Sequence, residues 1–377
     1  MTGLSRRTFL GAAGAAGAAT VLGTQFADAA TTEKGCFAGT TVYIGSYTTG
    51  ATGHGLDVAT RSGAALTPVR TVPGITDTSW FDRGADGKTL YVTNEGDPAG
   101  YVSALNIADV TKPKLINKVS SKGGAPTHLS VHSSGKYVLA ANYSSGSVVV
   151  LPILGGGKLG AATDLVTHHA DSGQAHAHQV VNDPTGRWVL SVDLGADSVY
   201  VYSLDVATGK LSLHQQLKLP SGAGPRHLAF HPNGRFAYIL QELRAEITVA
   251  SWDAASGRLK ALSVVPAVPS GTTGDRFPGE ILVSPDAKLL HATVRGPNTI
   301  ASFSVSPDGA AVKLVSTVSS GGNWPRHLAI DPEGQWFYVS NQRSGTVTWL
   351  PRDPATGLPG AVAGNLAVGS VNSVHFA

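Results

Sequence analysis

Short apolar runs recur along this chain at a nearly constant interval, and each is opened by the same kind of residue. With Trp80, His128, His178, His227, Glu280 and His327 taken as equivalent, the intervals are 48, 50, 49, 53 and 47 residues. Each marker opens a run such as HLSVH, HQVVN, HLAFH, EILVS or HLAID, and a turn rich in Gly, Asp, Asn or Pro follows. A second run comes next (KYVLAANY, RWVLSVDL, RFAYILQEL), then a third (GSVVVLPI, DSVYVYSLD, EITVASWD). A more variable piece such as GKLSLHQQLKL reads as a fourth strand. Apolar runs of this length between turn residues predict β-strands. Four strands per unit, repeated at this period, predict the blades of a β-propeller.

The two ends of the chain supply one further unit. VYIGSYT at 42–48 aligns with LYVTNEG at 90–96, a second strand lacking its own first strand. SVNSVHFA at 370–377 lies the right distance after His327 to provide it. The expectation is therefore an all-β fold of seven four-stranded blades, closed by N- and C-terminal strands in one blade, which leaves no open sheet edge in the ring. A two-domain β-sandwich is the alternative, but it would not require a constant unit length.

Composition agrees with this reading and narrows the partners. Gly 46 and Pro 21, with 42% hydrophobic and 14% charged residues, suit many short strands joined by turns and argue against disorder. Net charge is +3 with no block of like charge, so nucleic acid is not an expected partner. Residues 1–30 read as an export signal: Arg6-Arg7 precede an Ala/Gly-rich apolar stretch and the small-x-small triplet Ala27-Asp28-Ala29. The paired arginines resemble a twin-arginine signal and imply the twin-arginine machinery as a partner, with an exported product beginning near Ala30. Residues 31–377 are then a single propeller domain without a membrane span. Cys36 is the only cysteine, so no internal disulfide is expected.

The register of the repeat nominates a site. In a propeller the innermost strands surround the axis, so equivalent positions form rings about it. Fifteen residues after each marker stand Glu95, Tyr143, Asp193, Glu242, Arg295 and Gln342, with Tyr47 equivalent by alignment. All are polar or phenolic, where the flanking strand residues are apolar; they are expected to face one water-accessible cavity, because buried unpaired charge is costly. The histidines of His128, His227 and His327 fit a structural role, each hydrogen-bonding within its own blade. His178 differs, because His176 stands two residues before it on the same face of the strand. Arg226 and Arg295 require a carboxylate or an anionic ligand, since a guanidinium cannot shed its charge; Glu242 and Asp193 are candidate partners. Histidine, glutamate and two arginines in one cavity suit the opening of an ester or lactone.

With these stretches laid out, the chain resembles the seven-bladed-propeller lactonase family. That family includes the 6-phosphogluconolactonases of this fold and is similar to fungal carboxymuconate cycloisomerases. The matching segments run in order along the chain: VYIGSYT, GAPTHLSVHSSGKYVLAANYSSGSV, HAHQVVNDPTGRWVLSVDLGADSVYVY, GAGPRHLAFHPNGRFAYILQEL, PGEILVSPDAKLLHATVRGPNTIASFSV and WPRHLAIDPEGQWFYVSNQRSGTV. The resemblance implies His178, Arg226, Glu242 and Arg295 as the catalytic set, while Tyr47, Glu95, Tyr143, Asp193 and Gln342 from the ring, with His176 beside His178, are candidate substrate contacts. The implied substrate is a small lactone of a sugar acid, with no metal and no cofactor. Two other readings stay open: a cycloisomerase or metal-dependent lactonase, in which the marker histidines and Glu280 would hold the ion across a wide channel, or an exported, non-catalytic propeller that binds a cell-envelope partner.

Overall fold

The computed structural model describes residues 41–377, so the expected signal segment and Cys36 lie outside the described residues. Seven four-stranded antiparallel sheets are arranged about one axis, and Gly155–Gly157 is the only helical turn among the described residues. No helix there is long and apolar enough to cross a membrane. Six blades are built from consecutive strands, from Thr78–Ser120 for the first to Pro325–Ala367 for the sixth. The seventh takes its innermost strand from Val371–Phe376 and its outer three from Thr41–Ser46, Leu56–Ser62 and Ala65–Thr71. Val42 pairs with Phe376 and Ile44 with Val374. The closure expected from the alignment of the two termini is thus the closure formed.

The blades cohere because each sheet buries both faces of its two middle strands. Residues of Tyr137–Asn142, Val189–Asp193 and Leu289–Arg295 are buried throughout, whereas the outer strand Arg258–Pro266 buries only Leu259. This is why the first three runs of each unit read as near-continuous apolar stretches and the fourth does not. A repeated tyrosine ties neighbours together. Tyr43, Tyr91, Tyr238 and Tyr338 are fully buried, and each hydroxyl donates to a carbonyl beyond the third strand of the next blade: Val110, Gly157, Gly309 and Ala64 respectively. Each contact joins a large apolar burial to a satisfied polar tip.

The axis is filled, not hollow. Trp80 stacks on His128 with ring centroids 4.0 Å apart, and His227, His327 and His375 meet Trp80 edge-on at 5.5, 5.3 and 5.1 Å. The expectation that the marker histidines hydrogen-bond within their own blades is corrected: His227 and His327 bond across to neighbouring blades. His227 Nδ1 bonds Glu280 of the next blade at 2.8 Å, and the amide of Val374 in the closing blade donates to His327 Nδ1 at 3.4 Å. No group of three histidine, cysteine or acidic side chains among the described residues could hold a metal ion. The wide channel assumed for a metal-dependent reading is occupied by aromatic rings.

Candidate functional site

Above this aromatic plug, on the face where the first strands begin and the second strands end, the polar ring converges. A bulge recurs there in most blades: the pairing shifts between Pro225 and His227, between Pro325 and His327, and between Ala177 and Gln179. The extra residue in each first strand re-aims a side chain toward the axis, the service bulges commonly perform beside sites. Arg226, Arg326 and His178 occupy these bulged positions and line a small axial pocket with Trp80, Glu280 and Asn372.

Two charged clusters flank it. Glu242 Oε2 lies 2.7 Å from Arg295 Nη2 and 3.3 Å from Arg226 Nε, so one carboxylate joins both arginines. Arg226 also donates to Gly279 O, and Arg295 donates to Phe277 O and Pro278 O at 2.9 Å each. In the second cluster Tyr47 donates its hydroxyl to Glu95 at 2.8 Å, and the Arg326 guanidinium lies 5.7 Å from the Tyr47 ring centroid. Tyr143 stacks on His176 at 4.5 Å and meets His178 edge-on at 5.7 Å.

The electrostatics follow from burial. His178 is held well below its ordinary value of 6.5, first by desolvation and then by Arg226 and His227. Its imidazole is therefore neutral near pH 7, the form in which one ring nitrogen carries a lone pair. Burial, reinforced by Arg326 and Arg295, pulls Arg226 down to about 9, and it remains charged at neutral pH. Burial raises Glu95 despite Arg326 beside it. Three guanidiniums thus face three carboxylates, Glu242, Glu95 and Glu280, and burial pushes the last two toward their neutral form, so the site favours an anion.

Most of the ring residues nominated from the sequence meet here, and one does not. Asp193 is fully buried inside its blade. Its Oδ2 accepts from His168 Nδ1 at 2.7 Å, and its Oδ1 accepts from the amides of His176 and Ala196 at 2.7 and 2.8 Å. It neither partners an arginine nor faces the cavity; its two oxygens are committed to the segment that carries His176 and His178. Gln342 sits at the rim, with its amide bonded to Trp324 O. Arg326 was not nominated, although it stands one place before its marker as Arg226 does; the repeated Pro-Arg-His setting is the signal that could have found it.

Comparison with known proteins agrees with this geometry. Residues 41–376 match the family described as Lactonase, 7-bladed beta-propeller. The 6-phosphogluconolactonase of Bacillus subtilis is 30% identical over 324 residues, covering 84% of this chain and 92% of that protein. The 6-phosphogluconolactonase of Formosa agariphila is 29% identical over 352 residues, covering 89% and 99%. Among solved structures, the periplasmic gluconolactonase of Pseudomonas aeruginosa superposes with a TM-score of 0.84 at 30% identity, covering 89% of this chain and 98% of that one. With the blades, their closure and the match along nearly the whole described chain, this protein belongs to the seven-bladed β-propeller lactonase family.

Proposed function

We infer that this chain hydrolyses the internal ester of a sugar-acid lactone bearing an anionic group, as 6-phosphogluconolactone does. The observation that carries the reading is the convergence of Arg226, Arg295 and Arg326 with a neutral His178 at the axis. In this scheme His178 takes a proton from water as its oxygen attacks the lactone carbonyl carbon. Arg226, beside His178, faces the oxyanion that forms. The bond from the carbonyl carbon to the ring oxygen then breaks, and His178 returns the proton to the departing alkoxide. The product is an open hydroxy acid, which releases one proton to solvent near pH 7. Arg295 and Arg326 hold the anionic substituent, and Glu242 fixes Arg226 and Arg295 relative to each other.

The same reading places the enzyme outside the cytoplasm. The paired arginines Arg6 and Arg7, the apolar stretch after them and the Ala27-Asp28-Ala29 triplet support export by the twin-arginine route. The relative from Pseudomonas aeruginosa is named a periplasmic gluconolactonase, which shows a kindred fold assigned to such a compartment.

Proton release tests the chemistry. Purified protein lacking residues 1–30 is mixed with gluconolactone, its 6-phosphate and other lactones in weakly buffered indicator solution, beside His178→Ala and Glu242→Gln. Hydrolysis above the spontaneous rate that drops at least about 100-fold in His178→Ala, within the range of general-base contributions, is the expected result. No hydrolysis of any lactone by folded protein would turn the reading toward a binding propeller.

A further inference from the structure

Trp324 stands at the rim of the site in a backbone conformation that its side chain disfavours. Its φ is +69°, in the left-handed region. The position lies three residues before the marker His327, and other blades that use left-handed backbone there carry small side chains: Asp77, Ala125 and Gly224. Asp77 has a local reason for the conformation, since its carboxylate accepts from Thr48 and Thr49. Trp324 has no such side-chain bond, and it joins none of the hydrophobic clusters among the described residues. Its backbone is pinned instead, the amide donating to Asn298 Oδ1 at 2.8 Å and the carbonyl accepting from Gln342 N at 3.0 Å.

What this conformation secures is a contact with the site. The Arg295 guanidinium lies 5.4 Å from the indole centroid, and the exposed Arg343 guanidinium lies 3.4 Å from it. Cations over an indole are attracted by its quadrupole, and the attraction strengthens where water is excluded. Arg295 is otherwise held through its edges, by Phe277 O, Pro278 O and Glu242. The indole supplies the restraint those bonds lack, against rotation of the guanidinium plane out of the site. The indole also meets the Phe277 ring, at 6.0 Å between centroids, and unusual backbone kept beside a charged site is a recognised mark of functional residues.

We propose that Trp324 is a positioning residue that holds Arg295 in the orientation needed to bind the anionic group of the substrate. The proposal rests on the lactonase reading for its kinetic test and on anion binding alone for its second test. Trp324→Gly accepts the positive φ without strain, so the variant keeps the wild-type melting temperature or exceeds it. It nevertheless loses about tenfold in kcat/KM for 6-phosphogluconolactone, chiefly through KM, and competitive inhibition by inorganic phosphate weakens by the same factor. Trp324→Phe, which keeps a ring over Arg295, returns to within about threefold of wild type. The second test titrates inorganic phosphate against tryptophan emission in wild type and Trp324→Phe: the wild-type response is the larger, the difference being the part due to Trp324 over that of Trp80 in the axial pocket.

Unchanged kcat/KM and unchanged phosphate inhibition in Trp324→Gly would overturn the proposal, as would Trp324→Phe being no better than Trp324→Gly. Should Trp324→Gly not fold, the emission titration decides, and a response of the same size in wild type and Trp324→Phe overturns it. Should wild type hydrolyse no lactone while the Trp324 emission still responds to phosphate, the lactonase reading falls and the contact between Trp324 and the anion site stands.

Discussion

Acid should unfold this protein through its axis. His128, His178 and His227 are held well below 6.5 by burial first and by neighbouring cations second, and burial pushes His291, His327 and His375 down to about 3. In the unfolded chain each would titrate near 6.5. Because the folded values are depressed, the stability these groups lend is complete above about pH 6.5 and is lost as pH falls below it. At pH 5, protonation of one such histidine in the unfolded chain alone favours unfolding by about 2 kcal/mol, and the others act in the same direction. Four carboxylates act in the opposite sense. Burial pushes Asp82 up to about 6 and raises Glu95, Glu280 and Asp331, so the folded state takes up protons there as pH falls. Even if all four are protonated in the folded state at pH 5, they release only about 3.5 protons on unfolding against nearly 6 bound by the histidines. Stability should therefore fall by at least about 3 kcal/mol per pH unit near pH 5, steep for a domain of typical total stability. Urea unfolding followed by tryptophan emission from pH 7 to pH 5 measures the slope. His291→Gln provides the internal control. This residue lies away from the site, bonded to Ser302 at 2.9 Å and set edge-on to Phe337. Its replacement should reduce the slope by about one proton, or about 1.4 kcal/mol per pH unit. Stability that stays level between pH 7 and pH 5, or a slope unaltered by His291→Gln, would refute the reasoning.

Two further changes probe what holds the site and the closing blade. Asp193→Asn leaves the shape of the side chain but replaces one acceptor oxygen with an amide, setting a donor against either the backbone amides of His176 and Ala196 or His168. A loss of about 2 kcal/mol in urea unfolding, with a fall in lactone hydrolysis larger than thermal unfolding explains, is expected; wild-type activity would show that the His176 segment holds its own position. Gly55 has φ +92°, and a Cβ there would lie 1.9 Å from Ile75 O. Gly55→Ala should cost about 3 kcal/mol or more in the same assay, and a cost below about 1 kcal/mol would mean that the Ile75 loop yields.

The blades were legible because their constraint is periodic. A middle strand buried on both faces must read as an apolar run, and seven such strands at one spacing leave little choice of architecture, down to the pairing of Ser370–Ala377 with the first strand. Glu242 and Arg295 were legible for the same reason, being polar entries at a fixed place in that period. What escaped was, Arg326 apart, aperiodic. Arg326 lies one residue off the counted ring, and only the bulge before His327 turns it inward. His168 reaches Asp193 from a loop that crosses between blades, a contact 25 residues apart that no strand pattern encodes. His375 enters the axis two residues beyond Ser373, which holds the marker's place in the closing strand: Ser373 pairs with Gly45 as His227 pairs with Leu240. The conformation of Trp324 is likewise set by Asn298 of the preceding blade, and not by its neighbours in sequence.

The seam where the ring closes also has a mechanical meaning. Thr41–Ser46 and Val371–Phe376 run antiparallel, with Val42 beside Phe376, so the two ends of the folded chain leave the same end of one ladder. A force applied between the termini meets the backbone bonds of this ladder singly, from Val42 inward, and not as a set loaded side by side. Tension would peel the seam open like a zipper at modest load, after which Thr78–Arg83 and Pro325–Ile330 lose the strand between them. Pressure across the blade faces, by contrast, bears on an aromatic column with no soft joint. The molecule is strong as a disc and weak as a tether, which suits a catalyst that is not pulled upon by its ends.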